Sequence, residues 1–439
     1  MLSNQVLNLI TYDVRHRMAV TDPAGLAGLV ERAQAADVRE QSELRALGLG
    51  LMLLGSYEAA AGRFRSALEQ AGTPADVVAA RIGLADVYRH RGDLPAAELM
   101  CRMTLPLARA EAPELTGRLL LLLGATLAEQ GRTEEAGDVL ADVVASEAGD
   151  PRPDVLTPGT GFPAPGTPGS EALAPGAAGL GSAGLGAAAR AMLDSLDDLV
   201  LPLPPAVVAV LGEKPEWSLD HDGASGSLAR SGPYFVRRGP EAVAEHDRLT
   251  WLRAWHPVPE VAAFAGDVLV TADTGVETWA GHEESGDPVR VGTAMGDALR
   301  KLHAVPVAEC PFDGRLDVLL DLAARNVLEG RVDPEDFDDD NLGRTPAQVL
   351  ARLHAERPAS EDLVVAHGDF TPSNLMTNGV LIDLARLGVA DRHRDLAIAL
   401  RDLEGDFGDE AVAAFLAAYG PAAPDPAKLA YYRLIDELF

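Results

Sequence analysis

The sequence is poor in cysteine and in long apolar runs, and both shortages restrict the kind of protein it encodes. Its 439 residues include two cysteines, Cys101 and Cys310. Two thiols outside any metal-binding pattern exclude a disulfide framework and a zinc module. No run approaches the ~18 apolar residues of a membrane span, and no basic segment precedes an apolar one near Met1 as in a signal peptide. We therefore expect a cytoplasmic protein that does not act at a membrane.

Positive charge is also scarce. There are 37 Lys and Arg residues against 67 Asp and Glu, a formal net charge of −30. Residues 1–150 contain 14 basic and 21 acidic residues, and the remainder contains 23 and 46, so most of the excess lies in the C-terminal part. Nucleic-acid phosphates need Lys and Arg, so this balance disfavours a nucleic-acid partner. A cationic small molecule would be attracted, although solubility alone explains the same charge.

Residues 1–148 have apolar residues at the helical period, which predicts an all-α domain. Three segments look alike, since in each an apolar run is followed by Gly and, five residues later, by Ala. The glycines are Gly55, Gly92 and Gly131, which are 37 and 39 residues apart. This spacing resembles tetratricopeptide-type (TPR) repeats, whose stacked helical hairpins bind a peptide or protein partner. The alternatives are an irregular helical bundle and a scaffold that packs only against the rest of the chain or its own copy.

Residues 149–200 change in composition, because prolines alternate there with glycine and alanine. Such a stretch cannot bury enough apolar surface to offset its ordering entropy. We expect a flexible linker with a short helix near its end, over residues 189–199, followed by a second domain over residues 201–439.

Polar residues follow two apolar runs near the end of the chain. His367-Gly368-Asp369 follows the run 363–366, Asn374 comes five residues after Asp369, and Asp383 follows the short run 380–382. Both runs predict strands, which would end in a shared cleft. Kinase-type phosphoryl transfer needs a group that orients a hydroxyl and oxygen ligands for Mg2+. The spacing predicts that Asp369 accepts the hydroxyl proton and that Asn374 and Asp383 hold the metal. The alternative is that Asp369 only caps a turn and Asp383 only ends a strand. We disfavour it because the three polar residues occur in the expected order and follow two apolar runs.

These residues and their surroundings resemble the aminoglycoside 3'-phosphotransferases, a family of antibiotic-resistance kinases. The likeness rests on residues 361–369, 382–392 and 432–439, and extends more weakly back to about Leu203. It implies an α+β, two-lobed, protein-kinase-like C-terminal domain. It also implies ATP and Mg2+ as cofactors, and phosphorylation of a hydroxyl on an aminoglycoside or similar amino-sugar compound, with antibiotic resistance as the expected role.

The resemblance further implies which residues contact the nucleotide. Two strands, 227–230 and 234–237, would form the hairpin over the phosphates. Arg237 stands where the family has Lys and would pair with the helix residue Glu245. Arg is larger and forked, so the exchange is not conservative; it could slow catalysis, shift the nucleotide, or mark a domain that binds without turnover. The remaining implied nucleotide contacts are the loop residues Ser225, Gly226 and Ser227 and the backbone of Ala272 and Asp273.

Other family positions imply roles in catalysis and substrate binding. Arg386 would steady the terminal phosphate or the catalytic Asp, while His367, Asp391 and Asp395 would brace the loop. A run of carboxylates, ordinarily a solvated face, would correspond to the family's acidic loop for drug amino groups. In the family the C-terminus folds into the drug site with its α-carboxylate, and the resemblance implies the same here. The implied substrate residues are Asp338, Asp339, Asp340, Asp436, Glu437 and Phe439.

Two further functions stay open at this level. The domain could be a kinase of the same fold that acts on another metabolite. It could also belong to a regulatory or scaffold protein, in which the repeats bind a partner and the kinase domain binds nucleotide with weak turnover.

Overall fold

The computed structural model describes residues 2–12, 17–36, 38–147, 182–213, 215–217, 228–282, 287–420 and 423–439. They divide into two units. The first comprises Met1–Pro202 with the short segment Leu328–Arg331, and the second comprises Leu203–Val327 and Val332–Phe439. The predicted loop residues Ser225, Gly226 and Ser227, and most of the expected linker, lie outside the described residues.

Among its described residues, the first unit is helical apart from one short antiparallel pair of strands, β1 (Ile10–Tyr12) and β2 (Met18–Val20). Its helices are α1 (Leu2–Leu7), α2 (Pro23–Ala35), α3 (Gln41–Leu53), α4 (Tyr57–Glu69), α5 (Pro74–Arg91), α6 (Leu94–Glu111), α7 (Pro113–Glu129), α8 (Thr133–Glu147), α9 (Ser182–Leu193) and α10 (Leu196–Leu199).

The three glycines singled out in the sequence lie at the turns between paired helices. Gly55, Gly92 and Gly131 have φ values of 78°, 86° and 86°, a left-handed conformation that costs glycine little. They join α3 to α4, α5 to α6 and α7 to α8, and the helices of each pair pack together. The alanine five residues after each glycine is fully buried, so its small side chain allows close approach. The predicted helical hairpins are therefore present.

Buried carboxylates connect distant parts of the first unit. Glu129 accepts hydrogen bonds from Arg17 at 2.6 and 2.9 Å and from Arg89 at 2.9 Å. Glu329, in the segment that groups with this unit, accepts from Arg65 and from the Tyr88 hydroxyl, both at 2.6 Å. Removing one partner of such a pair leaves a buried charge unpaired, so these contacts strongly constrain the helices that carry them.

The described end of the expected linker is helical. Helices α9 and α10 pack against α7 and α8, and Met192 and Leu199 are at most 1% exposed. The short helix predicted over residues 189–199 corresponds to α9 and α10, but α9 begins earlier, at Ser182. The flexible-linker prediction therefore does not hold for residues 182–188. Apolar residues at helical spacing give this stretch a face to bury, which the Pro- and Gly-rich composition upstream does not offer.

The smaller lobe of the second unit is an antiparallel sheet flanked by helices. It contains α11 (Pro205–Leu211), β3 (Leu228–Ser231), β4 (Tyr234–Arg238), α12 (Pro240–Leu252), β5 (Val261–Ala265) and β6 (Val268–Ala272). The strand order is β3-β4-β6-β5. The predicted hairpin is present, with Gly232 at its turn and Arg237 of β4 opposite Leu228 and Leu269.

The larger lobe is mainly helical, with one two-stranded antiparallel sheet. Its elements are α13 (Pro288–His303), α14 (Leu316–Glu329), α15 (Pro346–Ala355), β7 (Leu363–Ala366), β8 (Gly388–Asp391), α16 (His393–Phe407), α17 (Asp409–Tyr419) and α18 (Pro426–Asp436). The apolar run 380–382 forms a single bridge, between Leu375 and Leu381, instead of the expected strand. The two-lobed α+β prediction is confirmed. None of the described helices is long and apolar enough to cross a membrane.

Helices α13 and α17 approach closely at two glycines, and this contact generates a stability prediction. A Cβ at Gly296 would lie 2.4 Å from the carbonyl oxygen of Phe415, and one at Gly292 would lie 2.1 Å from that of Ala411. Because backbone cannot yield as a side chain does, Gly296→Ala is expected to lower the free energy of unfolding by about 2–3 kcal/mol. Urea unfolding followed by tryptophan fluorescence measures this, since all four tryptophans lie in the second unit.

The matched control is Gly405→Ala in α16, where an added Cβ meets no atom within 4 Å. This change is expected to raise stability by about 0.5–1 kcal/mol through helix propensity. Equal stabilities of the two variants would contradict the packing argument.

Candidate active site

The loop after β7 carries the predicted catalytic residue. Gly368 has φ 90°, and a Cβ there would lie 2.5 Å from the carbonyl oxygen of Arg386 and 2.8 Å from Nη2 of Arg394. Glycine is therefore required for both conformation and space. The loop turns sharply here, and Asp369 follows as a partly buried residue at the strand end.

One buried carboxylate, that of Asp395, holds this loop by its backbone. Asp395 is fully buried and accepts hydrogen bonds from the N–H groups of His367 at 2.7 Å and Gly368 at 2.8 Å. Its Oδ2 also lies 3.0 Å from Nε2 of His303. Burial raises the pKa of Asp395, but these partners outweigh burial and hold that pKa below its usual value. Asp395 thus remains an ionised acceptor that fixes the start of the loop.

A second acidic brace lies at the end of β8. Asp391 accepts from Nδ1 of His393 at 2.7 Å, from Nζ of Lys428 at 2.5 Å and from the Asp362 N–H at 3.0 Å. Burial raises the pKa of Asp391, while these partners lower it far below its usual range. The contact with Lys428 joins β8 to α18.

Asn374 lies directly beside Asp369. Its Nδ2 donates to the backbone carbonyl of Asp369 at 2.9 Å and to Asp369 Oδ2 at 3.1 Å. The Asn374 backbone carbonyl accepts from Ile382 N–H at 3.1 Å, and Nε2 of His367 lies 3.0 Å from the Ile382 carbonyl. These contacts bring the segment that ends in Asp383 against the catalytic loop, so Asp369, Asn374 and Asp383 converge.

Asp383 has an unusual backbone conformation. Its φ of 55° is the only positive value at a non-glycine position among the described residues. Asp tolerates the left-handed region better than most residues, and such conformations cluster at functional sites. The conformation starts the 3₁₀ turn Leu384–Arg386.

Arg237 joins the two lobes of the second unit at this point. Its Nη1 lies 2.9 Å from Asp383 Oδ1 and 3.1 Å from Glu245 Oε2. Arg237 and Glu245 are both buried. The sequence prediction that these two residues pair agrees with the geometry, whereas the shared contact with Asp383 was not foreseen.

This charge cluster has a consistent electrostatic pattern. Burial lowers the pKa of Arg237, but Glu245 and Asp383 together raise it above its usual value. Burial raises the pKa of Asp383 and the Arg237 charge lowers it, with a net shift downward. At Glu245, burial raises the pKa more than Arg237 lowers it. The carboxylate of Asp383 is therefore the one that stays ionised. Glu245 mainly holds the Arg237 guanidinium in position.

The oxygen atoms of this cluster suit a hard cation. Asn374 uses its Nδ2 toward Asp369, which leaves its Oδ1 available, and Asp383 uses Oδ1 toward Arg237, which leaves Oδ2. Among the described residues no group of three or more His, Cys, Asp or Glu side chains could hold a metal ion. Two protein oxygens complemented by phosphate and water are the arrangement Mg2+ prefers in nucleotide sites.

The backbone predicted to contact adenine, that of Ala272 and Asp273, has partners for both of its N–H groups. The Ala272 N–H donates to the Glu260 carbonyl at 2.9 Å, and the Asp273 N–H donates to the Pro233 carbonyl at 2.8 Å. The Asp273 carboxylate pairs with Arg230 at 2.7 Å. These N–H groups already have partners because the strand pairing continues past the end of β6, so they are not free to donate to adenine.

The acidic segment and the C-terminal residues lie together. Glu437 accepts from the Asp338 N–H at 3.1 Å and from Nδ2 of Asn341 at 2.7 Å. The side chains of Asp338, Asp339 and Asp340 belong to exposed residues.

Two arginines accompany these acids. Asp436 pairs with Arg401 at 2.9 Å, and the Arg386 guanidinium lies 5.5 Å from the centroid of the Phe439 ring. Arg386, predicted to serve the phosphate or the catalytic Asp, thus contacts an aromatic ring by a cation–π interaction.

Known proteins share this half of the chain. A model of the phosphotransferase enzyme family matches residues 222–432. An aminoglycoside 3'-phosphotransferase of Streptomyces fradiae is 40% identical over 260 residues, which cover 51% of this chain and 95% of the relative. A streptomycin 3''-kinase of Streptomyces griseus is 40% identical over 219 residues, covering 44% and 79%. The crystal structure of an aminoglycoside 3'-phosphotransferase of type VIII superposes with a TM-score of 0.50 at 39% identity, covering 53% of this chain and 98% of that one.

This chain belongs to the aminoglycoside phosphotransferase family. The family model lies entirely within the second unit, and the Streptomyces fradiae relative covers about half of the chain. The kinase-like fold predicted for the C-terminal half is confirmed.

Sequence reasoning missed two residues that contact the predicted substrate residues. Asn341 and Arg401 bind Glu437 and Asp436, and no motif contains them, since the two pairs are separated by 96 and 35 residues. His303, which binds Asp395 from α13, lies nearer to what sequence alone can indicate. The one available signal is a polar residue on an otherwise apolar helix face, as at His303 in α13.

The Asp395 contacts yield a prediction about stability and pH. Asp395→Asn replaces one acceptor oxygen with an amide NH2 donor, which leaves a buried N–H of His367 or Gly368 without an acceptor. We expect the free energy of unfolding to fall by about 3 kcal/mol at neutral pH. Because the pKa of Asp395 is lowered in the folded state, its stabilisation is present above about pH 3.9 and is lost as pH falls through the folded-state value.

Urea unfolding of both proteins at neutral and acidic pH tests this expectation, and the difference between them should shrink on acidification. Asp362→Asn, at an exposed pair with Arg392, is the control and should change stability by no more than about 0.5 kcal/mol. A pH-independent difference would contradict the assigned ionisation.

Proposed function

We propose that this protein transfers the terminal phosphoryl group of ATP to a hydroxyl of an aminoglycoside or a related amino-sugar compound. The observation that carries the proposal is the convergence of Asp369, Asn374 and Asp383 in a domain 40% identical to an aminoglycoside 3'-phosphotransferase over 95% of that relative. Resistance to such a drug is the proposed biological role.

In the proposed mechanism, Asp369 is the group that orients the acceptor. Its carboxylate accepts the hydrogen bond of the substrate hydroxyl and takes the proton as the new O–P bond forms. Asn374 holds the Asp369 carboxylate through its Nδ2, and Asp395 holds the backbone before it. Asn374 Oδ1 and Asp383 would hold Mg2+, which when bound neutralises phosphate charge.

Arg237 supplies the fixed positive charge on the nucleotide side. Glu245 orients its guanidinium at 3.1 Å, so the α- and β-phosphates of ATP would meet a pre-positioned cation.

The cationic acceptor would bind at the acidic surface. Ammonium groups gain most from charge-assisted hydrogen bonds to carboxylates, and a neutral acceptor does not need them. The proposed contact residues are Asp338, Asp339, Asp340, Asp436, Glu437 and Phe439. Glu437 also shapes this surface, because it holds the acidic segment through Asp338 and Asn341.

ADP release measured with ATP alone, with kanamycin and with streptomycin tests the function. We expect drug-stimulated turnover, and a loss of about 10²–10⁴-fold in kcat for Asp369→Asn because the proton acceptor is removed. Calorimetry should show unchanged nucleotide binding in that variant. Asp321→Asn, at an exposed position of α14, is the matched control and should retain full turnover.

The outcomes also separate the alternatives. Turnover with other hydroxyl compounds but not with these drugs would indicate a kinase of the same fold for another metabolite. Nucleotide binding without turnover on any acceptor would indicate a regulatory or scaffold protein, a function favoured by one observation, the Arg at position 237. Unchanged turnover in Asp369→Asn would exclude this residue as the proton acceptor.

Substitutions at position 237 test whether the site is adapted to Arg in place of the family's Lys. Its guanidinium already reaches both Glu245 and Asp383, so we expect that Arg237→Lys does not raise kcat/KM. Arg237→Met, which removes the charge, should lower kcat/KM by about 100-fold or more. Steady-state kinetics and nucleotide binding are the measurements. A large gain with Lys would instead mark the native Arg as a handicap and support the regulatory function.

For the first unit, we propose that the three helical hairpins are TPR-like repeats that bind a protein or peptide partner. Their support is the glycine spacing and the buried alanine in each hairpin. The proposed domain boundaries are 1–148 for the repeats and 201–439 for the phosphotransferase. An irregular bundle is the alternative, and a cytoplasmic location suits the use of ATP.

A further inference from the structure

Arg394 is a buried cation that the mechanism above does not use. It lies in the first turn of α16 and is 8% exposed. Within the described part of the chain, no hydrogen bond or ion pair engages its guanidinium, although several charges act on it. A buried charge without such a partner is costly, so its presence calls for a reason other than stability.

The guanidinium packs against two glycines. Its Nη1 lies 3.2 Å from the position that a Cβ would take on Gly314, and its Nη2 and Cζ lie 2.8 and 2.9 Å from the corresponding position on Gly368. The absence of both side chains allows the flat group to approach the backbone. Since Gly368 immediately precedes Asp369, the guanidinium supports the peptide that carries the proton acceptor.

The charges around Arg394 come from both the catalytic loop and the substrate side. Burial lowers the pKa of Arg394, the carboxylates of Asp395, Asp436 and Asp369 raise it, and Arg386 lowers it. Arg394 also acts on Tyr432 of α18, whose buried hydroxyl has no hydrogen-bond partner among the described residues. The cation therefore lies among acids that would otherwise repel one another across the site.

Asp395 does not require this cation. It already accepts from two backbone N–H groups and contacts His303. An apolar side chain of similar length at position 394 would leave those contacts in place and would remove a desolvated charge. Stability alone therefore favours such a replacement, or is indifferent to it.

We propose that Arg394 is a positioning residue for phosphoryl transfer: its guanidinium, packed on Gly368, fixes the peptide that carries Asp369 and balances the charges of Asp369 and Asp436. The inference rests on the proposed function. A displacement of Asp369 by even 1 Å would weaken the alignment of the acceptor hydroxyl while leaving nucleotide contacts with Arg237 intact.

Three full-length variants test the proposal, namely Arg394→Met, Arg394→Lys and the control Arg392→Met. Arg392 lies two residues earlier and pairs with the exposed Asp362. The measurements are kcat, the KM values for drug and ATP, Tm, and amide hydrogen exchange of residues 366–370 by mass spectrometry.

For Arg394→Met we expect kcat to fall about 10–100-fold, with an unchanged KM for ATP and an unchanged or higher Tm. Exchange should become faster at residues 366–370 and stay unchanged elsewhere in the second unit. Arg394→Lys should restore part of kcat, and Arg392→Met should behave as wild type.

An unchanged kcat in Arg394→Met would overturn the proposal. So would a loss of kcat accompanied by a lower Tm and faster exchange throughout the second unit, because that pattern describes a general structural role. If the wild-type protein shows no turnover with any acceptor, the proposed function fails first. In that case hydrogen exchange and Tm of Arg394→Met decide. Faster exchange confined to residues 366–370 would support the positioning role, and unchanged exchange there would contradict it.

Discussion

The catalytic half of this molecule depends on the carboxylate of Asp395. Two consecutive N–H groups, those of His367 and Gly368, donate to it, and His303 reaches it from α13. A fully buried carboxylate is stable only when donors surround it. The loop, α13 and α16 are thereby held at one point, from which the positions of Asp369, Asn374 and Asp383 follow.

The acidic residues around this point have different roles. Asp391 and Asp395 accept hydrogen bonds from internal donors and stabilise the fold. Asp383 shares one oxygen with Arg237 and keeps the other available. The aspartates at 338–340 are exposed, and they carry the excess negative charge toward solvent. The acidic composition is thus divided among structure, proposed metal binding and proposed substrate attraction, which overall net charge could not have distinguished.

Sequence patterns predicted those features that local rules determine. The glycines at 55, 92 and 131 mark real turns because a left-handed residue between helices requires glycine. The convergence of Asp369, Asn374 and Asp383 was predictable because the residues follow apolar runs in order. The pairing of Arg237 with Glu245 followed from family resemblance, and the ion pair agrees with it.

Other features were beyond such rules. The contacts of Asn341 with Glu437 and of His303 with Asp395 join residues far apart in sequence, so only the packed chain defines them. The backbone of Ala272 and Asp273 was expected to contact adenine, but sheet-like pairing continues beyond β6 and uses both N–H groups. Composition suggested a flexible chain up to the short helix expected at residues 189–199, whereas α9 already begins at Ser182. The Arg386 side chain, predicted to steady the terminal phosphate or the catalytic Asp, contacts the Phe439 ring, a contact that the sequence did not indicate.

The left-handed backbone at Asp383 has a consequence for how this position can vary. Two independent demands meet there, one for an oxygen-bearing side chain and one for a tolerated torsion angle. Asn satisfies the torsion and removes only the charge, while Gly satisfies the torsion and removes the whole group. Ala or a β-branched residue would fail on conformation as well as chemistry. If Asp383→Ala loses activity, the backbone change and the loss of the carboxylate cannot be told apart. The Asn and Gly variants keep the backbone conformation and therefore report on the carboxylate itself.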